Sequence, residues 1–256
     1  MIANKGLQGI VVGDTRVSTV GTGVGLNYRG YNIKDLAEKS SFEEVVFLLL
    51  NERLPSNEEL DMLIRKMSLL REIPKPLQVI LENLPSTADP MDVMRTICSA
   101  LGTIEPEGPN NNQYQISLRL IAIFGPALLY WYHFHKSHRL LKINTNTGPF
   151  DSVASNFIKL LYYDGKAPDP LIVKTLDVSL ILYAEHDFNA STFAARVTVS
   201  TLSDFYSGIT SAIGTLKGNL HGGANEAAME FLEPLKSVED AEKKVNVVFD
   251  FSLMNI

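Results

Sequence analysis

The spacing of apolar and polar positions along the chain predicts a succession of helices. Ser41 with Glu44, and Ser56 with Glu59, have the spacing of capping boxes, in which each side chain bonds the backbone amide of the other residue. Both pairs stand ahead of segments whose apolar residues recur at helical spacing, such as residues 60–67. Each pair therefore predicts the start of a helix.

Similar signals continue along the rest of the chain. Asp89 followed by Pro90 has the form of a cap and a first-turn proline, and Gly102 is expected to end that helix. Apolar periodicity predicts further helices over residues 115–135, 152–163, 169–185, 191–213 and 223–235, with another start at Ser237. Strands do not alternate with helices, which argues against a parallel sheet. The predicted fold class is all-α.

Only the opening of the chain has a β-like pattern. Apolar and polar residues alternate around residues 10–12 and 16–20, and Gly13-Asp14 has the composition of a turn between them. The Gly-rich stretch 21–25 looks like a nucleotide-binding loop, but no helix follows it, so it is interpreted as another turn. Residues 105–112 and 142–149 are rich in Gly, Pro and Asn and are predicted to be surface loops.

The composition is that of an ordinary folded protein. Hydrophobic residues make up 45% of the chain and charged residues 20%, which excludes a disordered chain. The 23 basic and 29 acidic residues give a net charge of −6, and no Lys/Arg run forms a phosphate-binding stripe, so no nucleic acid partner is expected. Cys98 is the single cysteine, which fits a reducing compartment, and it is interpreted as a small apolar helix residue.

The expected location is the cytoplasm. The first residues carry no apolar run of the kind that a secretory signal needs. The longest apolar run, residues 120–132, contains Gly125-Pro126 and is shorter than the roughly 20 residues of a membrane span. No membrane association is expected.

Three histidines, His133, His135 and His138, raise the question of a metal site. In a helix, positions 135 and 138 share a face and position 133 lies off it. Zinc sites commonly use a fuller ligand set in which further groups orient each ligand. The cluster is therefore interpreted as the polar end of a helix, with a metal-binding helical protein kept as the weakest alternative.

The other two histidines lie at predicted helix junctions. His186 lies where one helix ends and the next begins, and helix ends leave backbone groups free for small anionic ligands. His221 is followed by Gly222 and Gly223, which remove side-chain bulk, and by a predicted helix whose positive end disfavours an imidazolium. A neutral histidine there can donate a hydrogen bond to a developing oxyanion. Capping or turn-forming roles remain the structural alternatives for both.

These two segments resemble the citrate synthase family. The resemblance is carried by YAEHDFNASTFAARV at residues 183–197 and LHGGANEAAME at residues 220–230. It extends to residues 6–18, 26–55 and 90–102, and the stretch 128–133 is most similar to the 2-methylcitrate synthase branch of that family. The resemblance covers nearly the whole chain up to about residue 244.

The resemblance implies a mostly helical homodimer that condenses oxaloacetate with a short acyl-CoA and then hydrolyses the thioester. Propionyl-CoA would give 2-methylcitrate and acetyl-CoA would give citrate, with no metal and no cofactor. The resemblance gives His221 the enol-stabilising role and His186 the oxaloacetate-binding role. It gives Arg71 a substrate contact, and Asn189 and Asn225 are expected to orient the two histidines.

The resemblance also implies two domains and an incomplete site. Residues 1–221 would belong to the large helical domain and residues 222–256 to the start of a smaller domain that is mostly missing. The family continues with a Gly-Phe-Gly-His segment that carries a second catalytic histidine, and then with a catalytic aspartate and arginines that bind the dicarboxylate. Residues 246–256 have no helical stripe. The chain is therefore expected to be C-terminally truncated and poorly active by itself.

A second hypothesis treats the chain as a non-catalytic helical dimerisation module. Residues 169–213 are rich in Ala, Ser, Thr and Val, which permits close helix–helix approach and self-association. This hypothesis predicts a dimer that oxaloacetate does not stabilise.

Overall fold

In the computed structural model, which describes residues 12–21, 25–137, 148, 151–237 and 239–241, helices follow one another from residue 33 onwards. The side chains of residues 225–227 are also outside the described part. The strands are β1 (Ser18–Gly21), β2 (Gly25–Tyr28) and β3 (Tyr31–Asn32). The helices are α1 (Ile33–Lys39), α2 (Phe42–Asn51), α3 (Asn57–Leu69), α4 (Lys75–Asn83), α5 (Pro90–Ile104), α6 (Gln113–Ser137), α7 (Val153–Tyr162), α8 (Pro170–Leu182), α9 (Ala190–Ser200), α10 (Phe205–Leu216) and α11 (Gly223–Leu232). The prediction of an all-α fold with a short N-terminal β segment is confirmed.

The predicted helix starts at both capping boxes are confirmed. The Ser41 hydroxyl accepts from the Glu44 amide at 3.3 Å, and the Glu44 carboxylate accepts from the Ser41 amide at 2.7 Å. The same reciprocal pair links Ser56 and Glu59 at the start of α3. These bonds satisfy amides that the first turn of a helix leaves without an intrahelical partner.

Removing the cap of α2 gives a first testable expectation. Ser41→Ala is expected to lower the free energy of unfolding by about 1 kcal/mol, because the Glu44 amide loses its acceptor. Urea denaturation of the wild type and the variant measures the difference. Ser68→Ala is the control, since the exposed Ser68 hydroxyl bonds only the Arg65 carbonyl and caps no helix start. An equal loss in both variants would contradict the capping argument.

The prediction of a single helix over residues 191–213 is wrong, because the structure divides this segment into α9 and α10. Leu202 adopts the left-handed conformation, with a φ of 64°, in the turn between them. The carboxylate of Asp204 then caps α10 by accepting from the Ser207 amide at 3.0 Å. The two helices therefore form a hairpin, and α10 also packs against α5.

Gly102 does not end α5, which continues to Ile104. A Cβ atom placed on Gly102 would lie 2.8 Å from the Cβ of Tyr206 on α10, closer than carbon atoms normally approach. Tyr206 is almost fully buried. The glycine therefore serves the close approach of α5 to α10, and the prediction of a helix stop was wrong.

The N-terminal strands form a three-stranded antiparallel sheet in the order β1-β2-β3. Gly21 pairs with Gly25 at the end of the β1–β2 ladder, so the Gly-rich stretch connects two antiparallel strands, while residues 22–24 lie outside the described part. Gly13-Asp14 precede β1, and because residues 10–11 lie outside the described part, the turn expected between the two segments stays a prediction. The loop expected at 105–112 does connect α5 with α6, and the one at 142–149 lies outside the described residues except Gly148.

Helix α6 organises the core. It contributes to two clusters of buried side chains, one shared with α4, α5, α7 and α10 and the other with α2 and α3. A third cluster joins the sheet to α1, α2 and α8. The fully buried residues of α6 include Ile116, Leu118, Ile123 and Ala127. The boundary predicted between residues 221 and 222 falls in the turn that connects α10 with α11, and it stays a prediction.

Candidate active site

His221 lies in the tight turn between α10 and α11, two residues before the first helical residue of α11. Its amide donates to the Gly218 carbonyl at 2.8 Å, and the Gly223 amide donates to the same oxygen at 3.2 Å. The turn is therefore closed by its own backbone. This position at a helix N-terminus is the one expected from the sequence.

The two glycines after His221 allow this turn to fold against the end of α10. A Cβ on Gly222 would lie 2.6 Å from the Leu216 carbonyl oxygen, and a Cβ on Gly223 would lie 2.7 Å from that of Lys217. The sequence suggested that the missing side chains leave room for a ligand. In the structure they leave room for the backbone of the preceding helix.

The imidazole of His221 contacts the start of α9. Its Nε2 lies 2.9 Å from the hydroxyl of Ser191, in the first turn of that helix. The Ser191 hydroxyl lies 2.7 Å from Oδ1 of Asn189, and that oxygen caps α9 by accepting from the Thr192 amide at 2.9 Å. The structure therefore joins His221 to Asn189 through Ser191.

The Ser191 hydroxyl links the tautomer of the His221 ring to the cap of α9. A hydroxyl carries one proton, so it can donate either to Asn189 or to the His221 ring. If it donates to Nε2 of His221, the neutral imidazole carries its proton on Nδ1, and that N–H is available to a ligand. The contact of Ser191 with His221 spans 30 residues, so the neighbours of either residue in the sequence do not reveal it.

His186 lies on the turn between α8 and α9 and is exposed. Within the described residues its imidazole has no hydrogen-bond partner. The next residue, Asp187, has a φ of 58°, so the backbone reverses immediately after the histidine. Asn189, the cap of α9, follows three residues after His186. His186 therefore precedes the cap of α9 by three residues, and His221 contacts the first turn of the same helix.

Arg71 lies elsewhere, in the core below α7. Its side chain is only 2% exposed, and its guanidinium donates to the backbone carbonyl of Asp151. Burial lowers its pKa, while the charges of Asp151 and Glu43 raise it. These contacts give Arg71 a structural role, and a substrate contact stays a prediction. The side chain of Asn225 lies outside the described part of the chain.

The remaining candidates have structural roles. Cys98 is fully buried, and burial raises its pKa to about 11, so the thiol stays protonated at neutral pH. Nε2 of His133 lies 2.8 Å from the Leu160 carbonyl, and Nε2 of His135 lies 3.1 Å from the Leu81 carbonyl, so both rings donate to backbone. His138 lies outside the described residues. Among those described, no group of three or more His, Cys, Asp or Glu could hold a metal ion.

No helix in the described ranges is long and apolar enough to cross a membrane.

The structure thus shows an α-helical protein in which two candidate histidines lie near one helix junction, at the start of α9. The family model described as "Citrate synthase, C-terminal domain" matches residues 6–254. The chain belongs to the citrate synthase family, and the resemblance noted in its sequence is confirmed.

Individual relatives agree with this assignment. The chain is 51% identical over 241 residues to a 2-methylcitrate synthase of Shewanella oneidensis, and the match covers 94% of this chain and 63% of that protein. It is 40% identical over 242 residues to a citrate synthase of Mycolicibacterium smegmatis, covering 93% of this chain and 63% of the relative. The chain therefore spans less than two thirds of the length of these relatives.

Solved structures show the same fold. A crystal structure of citrate synthase from Thermotoga maritima superposes with a TM-score of 0.84 at 33% identity, covering 97% of this chain and 65% of that one. A citrate synthase from Thermoplasma acidophilum superposes with a TM-score of 0.83 at 30% identity, covering 94% and 63% of the two chains. That protein is described as a ternary complex with carboxymethyl coenzyme A and oxaloacetate.

Proposed function

We propose that this chain carries part of the active site of an acyltransferase that condenses oxaloacetate with propionyl-CoA or acetyl-CoA, after which water hydrolyses the thioester to give 2-methylcitrate or citrate and free CoA. The observation that carries the proposal is the 2.9 Å contact between His221 and Ser191. It joins the turn expected to act on the thioester to the helix junction expected to bind oxaloacetate. The 51% identity to a 2-methylcitrate synthase favours propionyl-CoA.

In the proposed mechanism His221 stabilises negative charge on the thioester oxygen. Ser191 donates to Oδ1 of Asn189 at 2.7 Å, so its hydroxyl must first turn its proton to Nε2 of His221. The Nδ1–H of the neutral ring can then donate to the thioester oxygen as the α-carbon loses its proton to the base that the family resemblance implies. A hydrogen bond that is fixed in advance and strengthens as charge develops is the usual source of oxyanion stabilisation.

His186 is proposed to bind oxaloacetate. Its ring is exposed and has no partner among the described residues, so both ring nitrogens are open to a ligand. It lies beside the N-terminus of α9, where backbone amides favour a carboxylate. A donor to the ketone oxygen would draw electrons from the carbon that the enol attacks.

The 256-residue polypeptide by itself is expected to bind oxaloacetate but to turn over slowly. The base and the second histidine implied by the family resemblance are not among residues 1–256. A missing general base costs about 10²–10⁴-fold in rate. No cofactor and no metal enter this scheme, and the reaction is proposed to take place in the cytoplasm.

Oxaloacetate-dependent thermal stabilisation tests the proposal. Oxaloacetate at about 100 times its dissociation constant should stabilise the folded chain by about 2.7 kcal/mol. His186→Ala should remove this effect, while Glu58→Ala, an exposed change on α3, should keep it. A thiol-release assay with propionyl-CoA and acetyl-CoA measures turnover in parallel. Equal stabilisation of the wild type and His186→Ala, or turnover near that of a full-length relative, would contradict the scheme.

The partner proposed for this chain is a second copy of itself. Helix α9 has no buried residue, and it and the turn after it expose Val197 (51%), Val199 (37%) and Leu202 (96%). A cleft of about 860 Å³ beside α9 and α10 has Val199, Leu202 and Ile209 on its wall. Burial of such apolar area favours association. Sedimentation should show a dimer, and a monomer would contradict this.

The same surface favours the second candidate function, a dimerisation module without catalysis. The two functions differ in one measurement. A dimer that oxaloacetate does not stabilise supports the module, and a dimer that oxaloacetate does stabilise supports the acyltransferase.

A further inference from the structure

The β1–β2 hairpin contacts the segment that carries His186 through one pair of facing residues. Ser18 and Tyr28 are directly opposite each other in the antiparallel register, so their side chains lie on the same face of the sheet. Both are buried, with exposures of 4% and 0%. This pair, named here the Ser18–Tyr28 rung, therefore presents two hydroxyl groups to the interior.

The Tyr28 hydroxyl holds the end of α8. It donates to the Ile181 carbonyl at 2.9 Å, in the last turn of that helix, and it accepts from the Glu185 amide at 3.3 Å. Burial raises the pKa of Tyr28, which keeps this hydroxyl protonated and able to donate. The backbone immediately before His186 is thereby tied to the hairpin.

The Ser18 hydroxyl holds the same turn through a carboxylate. It donates to Oε1 of Glu185 at 3.0 Å, and that oxygen also accepts from the Asp187 amide at 2.6 Å. Asp187 is the residue whose positive φ reverses the chain. Glu185 therefore bridges the hairpin to the backbone immediately after His186.

These contacts hold the residues on either side of His186 and leave its imidazole exposed. The Tyr28 hydroxyl accepts from the amide of Glu185, the residue before His186, and the Glu185 carboxylate accepts from the amide of Asp187, the residue after it. The imidazole of His186 itself remains exposed. The arrangement resembles a preorganised binding group on a rigid support.

We infer that Glu185, supported by the Ser18–Tyr28 rung, is a positioning residue that sets the place of the His186 ring for its ligand. The inference rests on the proposed role of His186 in oxaloacetate binding and adds to it the groups that hold the ring. Glu185 acts through the backbone and makes no substrate contact itself. Losing it should weaken binding because the turn must then be ordered when oxaloacetate arrives.

Variants of the full chain separate positioning from folding. Glu185→Ala removes the acceptor, whereas Glu185→Gln keeps an Oε1 that can accept from both Ser18 and Asp187. Tyr28→Phe removes only the hydroxyl of the rung. Tyr31→Phe is the matched control on the same sheet, because Tyr31 is 42% exposed. Glu58→Ala is the matched control for loss of a carboxylate.

Two measurements decide the outcome. Calorimetric titration should show oxaloacetate binding about tenfold more weakly to Glu185→Ala and Tyr28→Phe, within about twofold of wild type for Glu185→Gln, and unchanged for both controls. Hydrogen exchange of the Asp187 amide should accelerate in Glu185→Ala and stay slow in Glu185→Gln. Wild-type affinity in Glu185→Ala, or a Gln variant as weak as the Ala variant, overturns the inference.

The exchange measurement keeps this inference distinct from the proposed function. If the wild type does not bind oxaloacetate, the proposed function has failed. Faster Asp187 exchange in Glu185→Ala would then still support the positioning of the turn, and unchanged exchange would overturn it.

Discussion

Arg71→Met is expected to lower the free energy of unfolding by about 3 kcal/mol. Arg71 is 2% exposed, donates to the Asp151 carbonyl, and shares the interior with the carboxylate of Glu43, which is also 2% exposed. The charges of these two side chains interact favourably. Methionine fills a similar volume but leaves a buried carboxylate without that positive charge. Urea denaturation measures the loss.

The loss should grow as the pH rises. Burial raises the pKa of Glu43 above its ordinary value of 4.5, and the charge of Arg71 lowers it. A group with a raised pKa in the folded state contributes stability that is present below pH 4.5 and is lost as the pH rises through the folded pKa. Without Arg71 that pKa rises further, so the deficit of Arg71→Met should be larger at about pH 8 than at about pH 5.

Arg95→Met makes the same substitution at an exposed arginine and is the matched control for Arg71→Met. Arg95 makes an exposed ion pair with Asp92 at 3.0 Å, and such pairs contribute between about 0.2 and 1 kcal/mol. Its effect should be small and nearly independent of pH. If Arg71→Met costs no more than Arg95→Met, Arg71 has no structural role and its predicted substrate contact regains support.

Gly223→Ala is expected to destabilise the chain by about 2 kcal/mol and to displace the His221 turn. The new Cβ would meet the Lys217 carbonyl oxygen at 2.7 Å and that of Gly218 at 3.1 Å, and both are backbone atoms that cannot rotate away. The turn must open, and the 2.9 Å contact from His221 to Ser191 must lengthen or break. Urea denaturation and the NMR signals of the His221 ring test both effects.

Gly214→Ala is the matched control, and it should stabilise the chain where Gly223→Ala destabilises it. Gly214 is inside α10, and the nearest atom to an added Cβ is Cδ of Arg95 at 3.7 Å, an ordinary contact. Alanine should therefore stabilise the helix by about 0.5 kcal/mol, since glycine is the poorer helix former. Destabilisation of similar size at positions 214 and 223 would show that the steric account of the His221 turn is wrong.

The helix starts could be predicted because their signals are local. The partners in the capping boxes at Ser41 and Ser56 are three residues apart, so the pattern contains both halves of the interaction. The break between α9 and α10 was missed because no glycine or proline marks it. Asp204, which caps α10 through Ser207, was the available signal. Local capping patterns were therefore sufficient to predict a helix start wherever they were recognised.

The role of Gly102 could not be predicted from its neighbours in sequence. Glycine commonly ends a helix, but here it meets Tyr206, which is more than a hundred residues away in the chain. The burial of Arg71 could not be predicted either, because its partners are distant in sequence: Glu43 lies on α2 and Asp151 lies just before α7. The structural roles of Gly102 and Arg71 depend on tertiary packing, which the local sequence does not reveal.

The candidate site was predicted in part. His186 and His221 were singled out because histidines at helix junctions are chemically conspicuous. The structure places His186 three residues before the cap of α9 and His221 in contact with the first turn of that helix. Ser191 and Glu185 were not identified as supporting groups, since serine and glutamate are common on any surface. Only the contacts of Ser191 with His221 and of Glu185 with Ser18 distinguish them.

The Ser18–Tyr28 rung bears on the order in which the chain acquires its structure. The contact from Tyr28 to Ile181 spans 153 residues, and the one from Ser18 to Glu185 spans 167. At typical synthesis rates the ribosome needs roughly ten to thirty seconds to make that much chain. Throughout that interval the hairpin would present its two rung hydroxyl groups and a free strand edge to solvent and chaperones, so its docking belongs among the last events of folding.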